Sequence, residues 1–479
     1  MAQSKPIAAS STIYYMGTKM RKIHSTSSKS RAIPRRLYFI ALFLDLLALA
    51  ANQLAARSSA FANAYSHYVY RVLSLGIGSV MGLLPFSVVE LLLYATILFV
   101  LFDFVKQLRR AIRATVECLR PAPVSQALTI RASQASLAHA EAFTNPKDAT
   151  SGSAEAQSDE LQQKHAAARS THLLVAVARP LRCFLGHLFL ILSMLLVLYV
   201  FLCGINYHRT SFSQEAGLSV TLDEHGTVYD EADLIALCDY LVTEINATEA
   251  QLDVPYIGQT METPKPSAAW LWHAGRTGQR AMEKLGERYS RLAEPYPFPK
   301  PILNTWILSV QQTTGVYSPF TVEANYNRDI AYYDIPFTIC HELSHLRGYM
   351  QEEEANFIGV LATIGADDLY FNYSGYVTAW VYAGNALARI DSTAFATLYA
   401  RINARTRQDM LYNNAYWQQF EGKPAEAHEQ LNDAYLKMQG QASGVRSYGH
   451  VTDLMLEYFA KNGTLTQCNS SAVARRTAD

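Results

Sequence analysis

The reading turns on Asp334-Ile-Pro-Phe-Thr-Ile-Cys-His341-Glu342-Leu-Ser-His345-Leu-Arg-Gly348 in this 479-residue chain. Two histidines four apart lie one above the other on a helix face, so both imidazoles can reach one metal ion. Zinc is the metal this pattern favours. Glu342 follows the first ligand directly, where a carboxylate can take the proton of a metal-activated water. The local grammar predicts a helix, with Asp334 as N-cap, Pro336 in the first turn and Gly348 as the stop.

Such a centre needs a third protein ligand. After Gly348 the chain restarts at Gln351-Glu352-Glu353-Glu354-Ala-Asn356, and a second helix crossing the first can present one of the three carboxylates. Glu352 is the choice, because Asn356 stands one turn further on the same face, where its amide can orient a histidine. Glu354 is the runner-up. Acidic residues also gather at helix N-termini simply because the helix dipole favours them there, and that account covers the glutamates that do not bind metal.

His-Glu-x-x-His followed by Glu-x-x-Ala-Asn resembles the gluzincin metallopeptidases, the membrane-embedded ones especially. The resemblance implies His341, His345 and Glu352 as zinc ligands. Asn356 stands where many members carry Asp.

Composition sets the frame. Net charge is zero and charged residues make up 17%, so no nucleic-acid partner is expected. Cys118, Cys183, Cys203, Cys238, Cys340 and Cys468 are scattered singly, with no paired-cysteine motif. Residues 1–36 hold eight Lys or Arg and no acid and read as a disordered basic cytoplasmic tail. Apolar runs of spanning length cover Leu37–Ala56, Leu83–Val105 and Phe184–Cys203. Asp45 interrupts the first, and Glu90 and His187 read as interfacial or helix-packing residues.

Residues 106–182 carry eleven basic residues, whereas 57–75 carry only Arg57 and Arg71. That bias places the tail and the 106–182 loop in the cytoplasm and 205–479 outside it. Within the loop, 121–170 is rich in Ala, Ser and Gln and reads as a mostly disordered insertion. The run Lys106–Arg113 reads as a topology anchor touching anionic lipid of the bilayer.

The organisation expected is therefore spans 1 and 2 within 37–105, span 3 at 183–204, and one domain over 205–479. In that domain 228–252 and 266–292 read as helices, the first capped by Asp230. Thr305–Val310 and Gly315–Asn325 read as strands, and 377–461 as helical. The fold class is a membrane-anchored α+β protein with a mainly helical, zincin-like domain and a small sheet. In that plan the strand before the metal helix, here Val316–Asn325, borders the cleft and can pair with an extended peptide. Glu323 and Asn325 read either as grips for a substrate backbone or as strand-end caps.

Several stretches extend the resemblance: Val316–Asn325, Pro336–Gly348, Glu353–Phe357, Tyr373–Tyr376, Tyr382–Ala386, Asn432–Lys437 and Gly444–Gly449. Together they resemble an uncharacterised family of bacterial multi-pass membrane proteins with a predicted zinc-peptidase domain, carried as a domain of unknown function. It implies a bacterial plasma membrane and a peptide or protein substrate outside the cytoplasm. Gluzincins often draw an oxyanion-stabilising Tyr or His from the helical half. Tyr448, between Arg446 and His450, is the candidate. The competing reading is a non-catalytic membrane sensor or assembly protein with a structural metal. An intact Glu342 argues against it, and Cys340, about 100° round the helix from His341, is expected to face the core.

Overall fold

Three helices are long and apolar enough to cross a membrane, Arg35–Arg57, Val88–Leu119 and Ser170–His208. The computed structural model describes residues 35–119, 152–218, 229–253, 255–438 and 450–466. Nearly all of the expected tail, and the first part of the expected insertion, lie outside these described residues.

The spans differ from expectation at their ends. The second starts at Val88 instead of Leu83, because Pro85 breaks the helix and Ser87 Oγ accepts the Glu90 N–H at 3.3 Å. It then runs on past Val105 to Leu119. The third belongs to a helix that begins at Gly152, so the last part of the expected insertion, 152–170, is helical. Its weak apolar pattern suggested disorder, but Ala, Glu, Gln and Lys are strong helix formers without any core to pack on. Polar groups bind the spans to one another. Ser193 donates to Asp45 at 2.8 Å, and His187 Nδ1 lies 2.8 Å from Asp103, which also accepts from Gln107.

The remainder is mainly helical around a three-stranded sheet. Helix Glu231–Glu249 opens on a reciprocal capping box between Asp230 and Asp233. Helix Ala268–Arg288 follows, then strands β1 (Lys300–Pro301), β2 (Gly315–Ser318) and β3 (Glu323–Tyr326). Their order is β1-β3-β2, with β1 parallel and β2 antiparallel to β3. Two strand expectations are corrected. Thr305–Val310 contains the helical turn Trp306–Ser309, whose Ser309 Oγ bonds Thr305 O and Tyr416 OH; tertiary contacts there override β-branched composition. Gly315–Asn325 is a hairpin and not one strand. Pro319 cannot donate to a ladder, and Val322 adopts φ +53°.

The motif helix Asp334–His345 and the glutamate helix Glu352–Ile364 form the buried centre, packed against Ala268–Arg288 and Leu369–Ile390. Helices Ser392–Arg401, Ala404–Gln418, Lys423–Met438 and His450–Asn462 complete the helical part expected over 377–461.

This half is fastened to the spans by buried polar contacts. Glu323 on β3 pairs with the fully buried Lys300, and its carboxylate also accepts Val88 N–H (3.1 Å) and Val89 N–H (2.9 Å), capping the second span. Glu90 returns the contact, accepting Leu303 N–H (2.8 Å) and Asn304 N–H (2.9 Å). Lys300 Nζ donates to Met81 O at 2.7 Å. Between the first two spans, Tyr70 sends its hydroxyl under the motif helix, within 3.2 Å of His345 O and 3.3 Å of Leu346 O. The floor of the site is thus tied to the segment joining two spans.

Candidate metal centre

The motif helix opens at Tyr333, which makes no side-chain cap bond, so Asp334 is the first helical residue and not the N-cap. Asp334 is half-buried, and the loss of solvation there lifts its carboxyl to about 7 against the pull of His341. At the other end Gly348 takes φ +81°, a left-handed conformation that glycine adopts freely. That turn brings the Tyr349 carbonyl back beneath the helix, 2.7 Å from His345 Nδ1. A carbonyl only accepts, so the His345 proton sits on Nδ1 and its Nε2 lone pair points into the centre.

The two imidazoles and one carboxylate converge there. His341 Nε2 lies 3.2 Å from His345 Nε2 and 3.4 Å from Glu352 Oε2, and His345 Nε2 lies 3.8 Å from Glu352 Oε1. Glu352 is the first residue of its helix, directly after Gln351. One ligand atom from each of the three residues lies within 4.8 Å of the others.

The electrostatics share one cause. Burial drives His345 down to about 4, against the pull of Glu352, leaving it neutral. Burial also presses His341 down, but Glu352, Glu342 and the Asn356 side chain together hold it above the ordinary histidine value. Burial pushes Glu352 up, yet its bond to His341 and the charge of both imidazoles keep it below the ordinary carboxylate value. Two inward nitrogens and a carboxylate therefore demand positive charge at their centre.

Glu342 stands beside this cluster without joining it. It is 4% exposed, and it accepts the Tyr317 N–H while its Oε2 has no partner. Burial, reinforced by the Glu352 charge, raises it to about 8 against the pull of His341 and the Tyr317 N–H. Gly315 makes room for it, since a Cβ there would lie 2.6 Å from Glu342 Oε1 and 2.7 Å from Thr338 Cγ2. The strand pattern explains why Tyr317 can reach it. Asn327 N–H bonds Thr314 O at 2.7 Å, so 314 and 316 are bonded positions on β2. Gly315 and Tyr317 then turn their backbone groups to the open edge.

The other expected residues separate cleanly. Glu354 accepts Ser213 N–H at 2.8 Å and Ser213 Oγ–H at 2.6 Å, so it caps the turn Phe212–Glu215 and stays out of the cluster. Cys340 is fully buried in the core. Glu323 and Asn325 are no substrate grips: Glu323 is bound to Lys300, and Asn325 is fully buried with its amide on Val316 O and Glu323 O. Tyr448 and Arg446 lie outside the described residues.

A cavity of about 1140 Å³ opens on His341, Glu342, His345 and Glu352. β2 forms one side and helix Lys423–Met438 another, while Tyr199 and Cys203, at the end of the third span, line it as well. Sequence reasoning missed Gly315, the Tyr349 carbonyl and a phenol cluster in this cavity. In that cluster Tyr199 OH and Tyr207 OH lie 3.1 Å and 3.0 Å from Tyr435 OH. No local pattern links residues so far apart in sequence.

Three helices that suggest a membrane protein, joined to a mainly helical half burying a His–His–Glu cluster in a cleft, define the class. The chain belongs to the family described as Protein of unknown function (DUF3810), which it matches over residues 168–456. The match covers the third span and every residue of the cluster. No curated protein and no solved structure matches the chain.

The geometry separates Glu352 from Glu354, two residues further along the same helix. Glu352→Gln is expected to lower the zinc bound per purified chain sharply, whereas Glu354→Gln should leave it unchanged and cost stability, about 1.5–3 kcal/mol for a charged hydrogen-bonded group. Elemental analysis beside thermal unfolding in detergent reads both. Zinc lost from the Glu354 variant and kept by the Glu352 variant would reverse the assignment.

Proposed function

We propose that this protein is a membrane-anchored, zinc-dependent metallohydrolase, a peptidase of gluzincin type on a zincin-like fold. The observation that carries the reading is Glu342, a buried carboxylate with one unpartnered oxygen, facing the cavity beside three converging ligands without being one of them. A purely structural site has no use for such a group.

The residues fit zinc. His341, His345 and Glu352 would hold it, the set of two histidines and one glutamate that leaves a position open for chemistry. Bound there, the ion supplies Lewis acidity that polarises a carbonyl and acidifies water, and its charge favours the ionised form of Glu342. The protein's own groups do the rest. The Tyr349 carbonyl fixes the His345 tautomer, and Asn356 supports His341. Tyr317 N–H and Gly315 hold Glu342 in place. Glu342 Oε2 takes the proton of the attacking water and later delivers it to the leaving amine. The open edge of β2 offers the Gly315 backbone groups to an extended peptide, which positions the scissile bond. Tyr448 keeps the oxyanion role that the resemblance implies.

The orientation follows from the basic residues, with the N-terminus in the cytoplasm and the hydrolytic half outside it, in a bacterial plasma membrane. A periplasm-specific reporter fused after Asp479 is expected to be active. Activity of a cytoplasmic reporter at that point would overturn the orientation.

Glu342→Gln tests the chemistry. It keeps the size of the side chain and removes its basicity, so zinc content and unfolding temperature should stay near wild type. Hydrolysis of a broad peptide library should fall by about 10²–10⁴-fold. Tyr448→Phe should lose on the order of 10²–10³-fold if it stabilises the oxyanion. Wild-type hydrolysis in the Glu342 variant would leave the metal a structural element.

A further inference from the structure

One wall of the cleft carries chemistry that bond cleavage leaves unused. Helix Lys423–Met438 faces the cavity with Glu426, His428, Glu429 and Asn432, and Glu421 stands on the turn before it. Glu421, Glu426 and Glu429 are exposed, and among the described residues none of them is ion-paired. On the same helix Lys437 is committed to Asp433 at 2.7 Å, and Lys423 does not line the cavity. The described residues lining the cavity include no Lys and no Arg.

Polar groups deep in the same cavity also lack partners. Thr378 and Asn356 line it and are 6% and 3% exposed, and Thr378 Oγ1 and Asn356 Nδ2 have no hydrogen-bond partner. Buried polar atoms are normally satisfied, so these await a polar ligand. The charge balance indicates its sign. The double charge of a bound zinc ion is matched by Glu352 and Glu342, which leaves the carboxylates of the far wall uncompensated.

We propose that the cleft selects polypeptide segments carrying Lys or Arg, held with their backbone along β2 and their cationic side chains against Glu421, Glu426 and Glu429. This rests on reading the centre as a peptidase site and names its substrate class. The spacing supports it. Side chains three apart on a helix are on the order of 5–6 Å apart, and alternate side chains of an extended chain repeat every ~6.6 Å on one face. Glu426 and Glu429 therefore match cations at alternate positions of a strand added to β2.

The test uses the full chain in lipid nanodiscs, loaded with zinc and carrying Glu342→Gln so that nothing is cleaved. The probe is a fluorescein-labelled alanine-rich nonapeptide with Lys at three alternate positions, compared with the same peptide bearing Gln or Glu there. The Lys peptide is expected to bind about tenfold more tightly than the Gln peptide, the sum of several exposed pairs. That advantage should shrink as salt is raised. It should disappear when Glu421→Gln, Glu426→Gln and Glu429→Gln are combined, all at exposed positions where the fold is not at stake. Equal binding of the Lys and Gln peptides, tighter binding of the Glu peptide, or a Lys preference surviving the triple change would each overturn the proposal. Hydrolysis by the chain with native Glu342 is read separately. Cleavage indifferent to charge would overturn the basic-segment proposal and leave the peptidase reading standing. Lys-selective binding by a protein that cleaves nothing would support the proposal and sink the peptidase reading.

Discussion

The structure depends on holding a carboxylate and two imidazoles together on the partly buried wall of the cleft. Such a group is stable only if positive charge sits at its centre. The surroundings position it with backbone as much as with side chains. The left-handed turn at Gly348 returns the Tyr349 carbonyl to His345. The same turn sets the start of the glutamate helix, so that Glu352, its first residue, meets both histidines. Around the turn, Arg209 donates to Arg347 O at 2.7 Å and lays its guanidinium 4.2 Å over the Tyr349 ring. The position of one carbonyl oxygen is thus fixed from three directions.

The same economy ties the centre to the membrane-facing part. Tyr70 reaches the carbonyls at the end of the motif helix from the segment between two spans. Glu323 and Glu90 form a reciprocal pair of caps, one from the sheet onto a span and one from that span onto the loop before the sheet. Tyr199 and Cys203 line the cleft from the end of the third span. A site built this way is held at a fixed position relative to the three apolar helices.

Much of the site was legible because helix periodicity is local. His341, Glu342 and His345 could be placed on one helix, and Gly348 at its end, from spacing alone. The choice among Glu352, Glu353 and Glu354 was harder, since successive helical residues differ by about 100° and each faces a different neighbour. Asn356 pointed to Glu352, but the reason Glu354 is unavailable is Ser213, far away in sequence. The strand errors have a similar origin. Thr305–Val310 has strand-like composition, yet contacts from Tyr416 and its own Thr305–Ser309 bond turn it into a helix. Helix Gly152–Leu202 was under-read because its first part has the propensity of a helix without the apolar stripe that signals burial. Gly315 could not be recognised at all, since only the folded packing shows that Glu342 leans on it.

The central claim is that His341, His345 and Glu352 form a zinc site with an open position. The most direct test is X-ray absorption at the zinc edge on the purified full chain, beside His341→Ala. The account predicts about one zinc per chain, coordinated by two imidazole nitrogens and carboxylate oxygen with no sulfur, and loss of the metal in the variant. A wild-type protein that folds and keeps its stability without metal, or a spectrum with sulfur in the coordination shell, would contradict it.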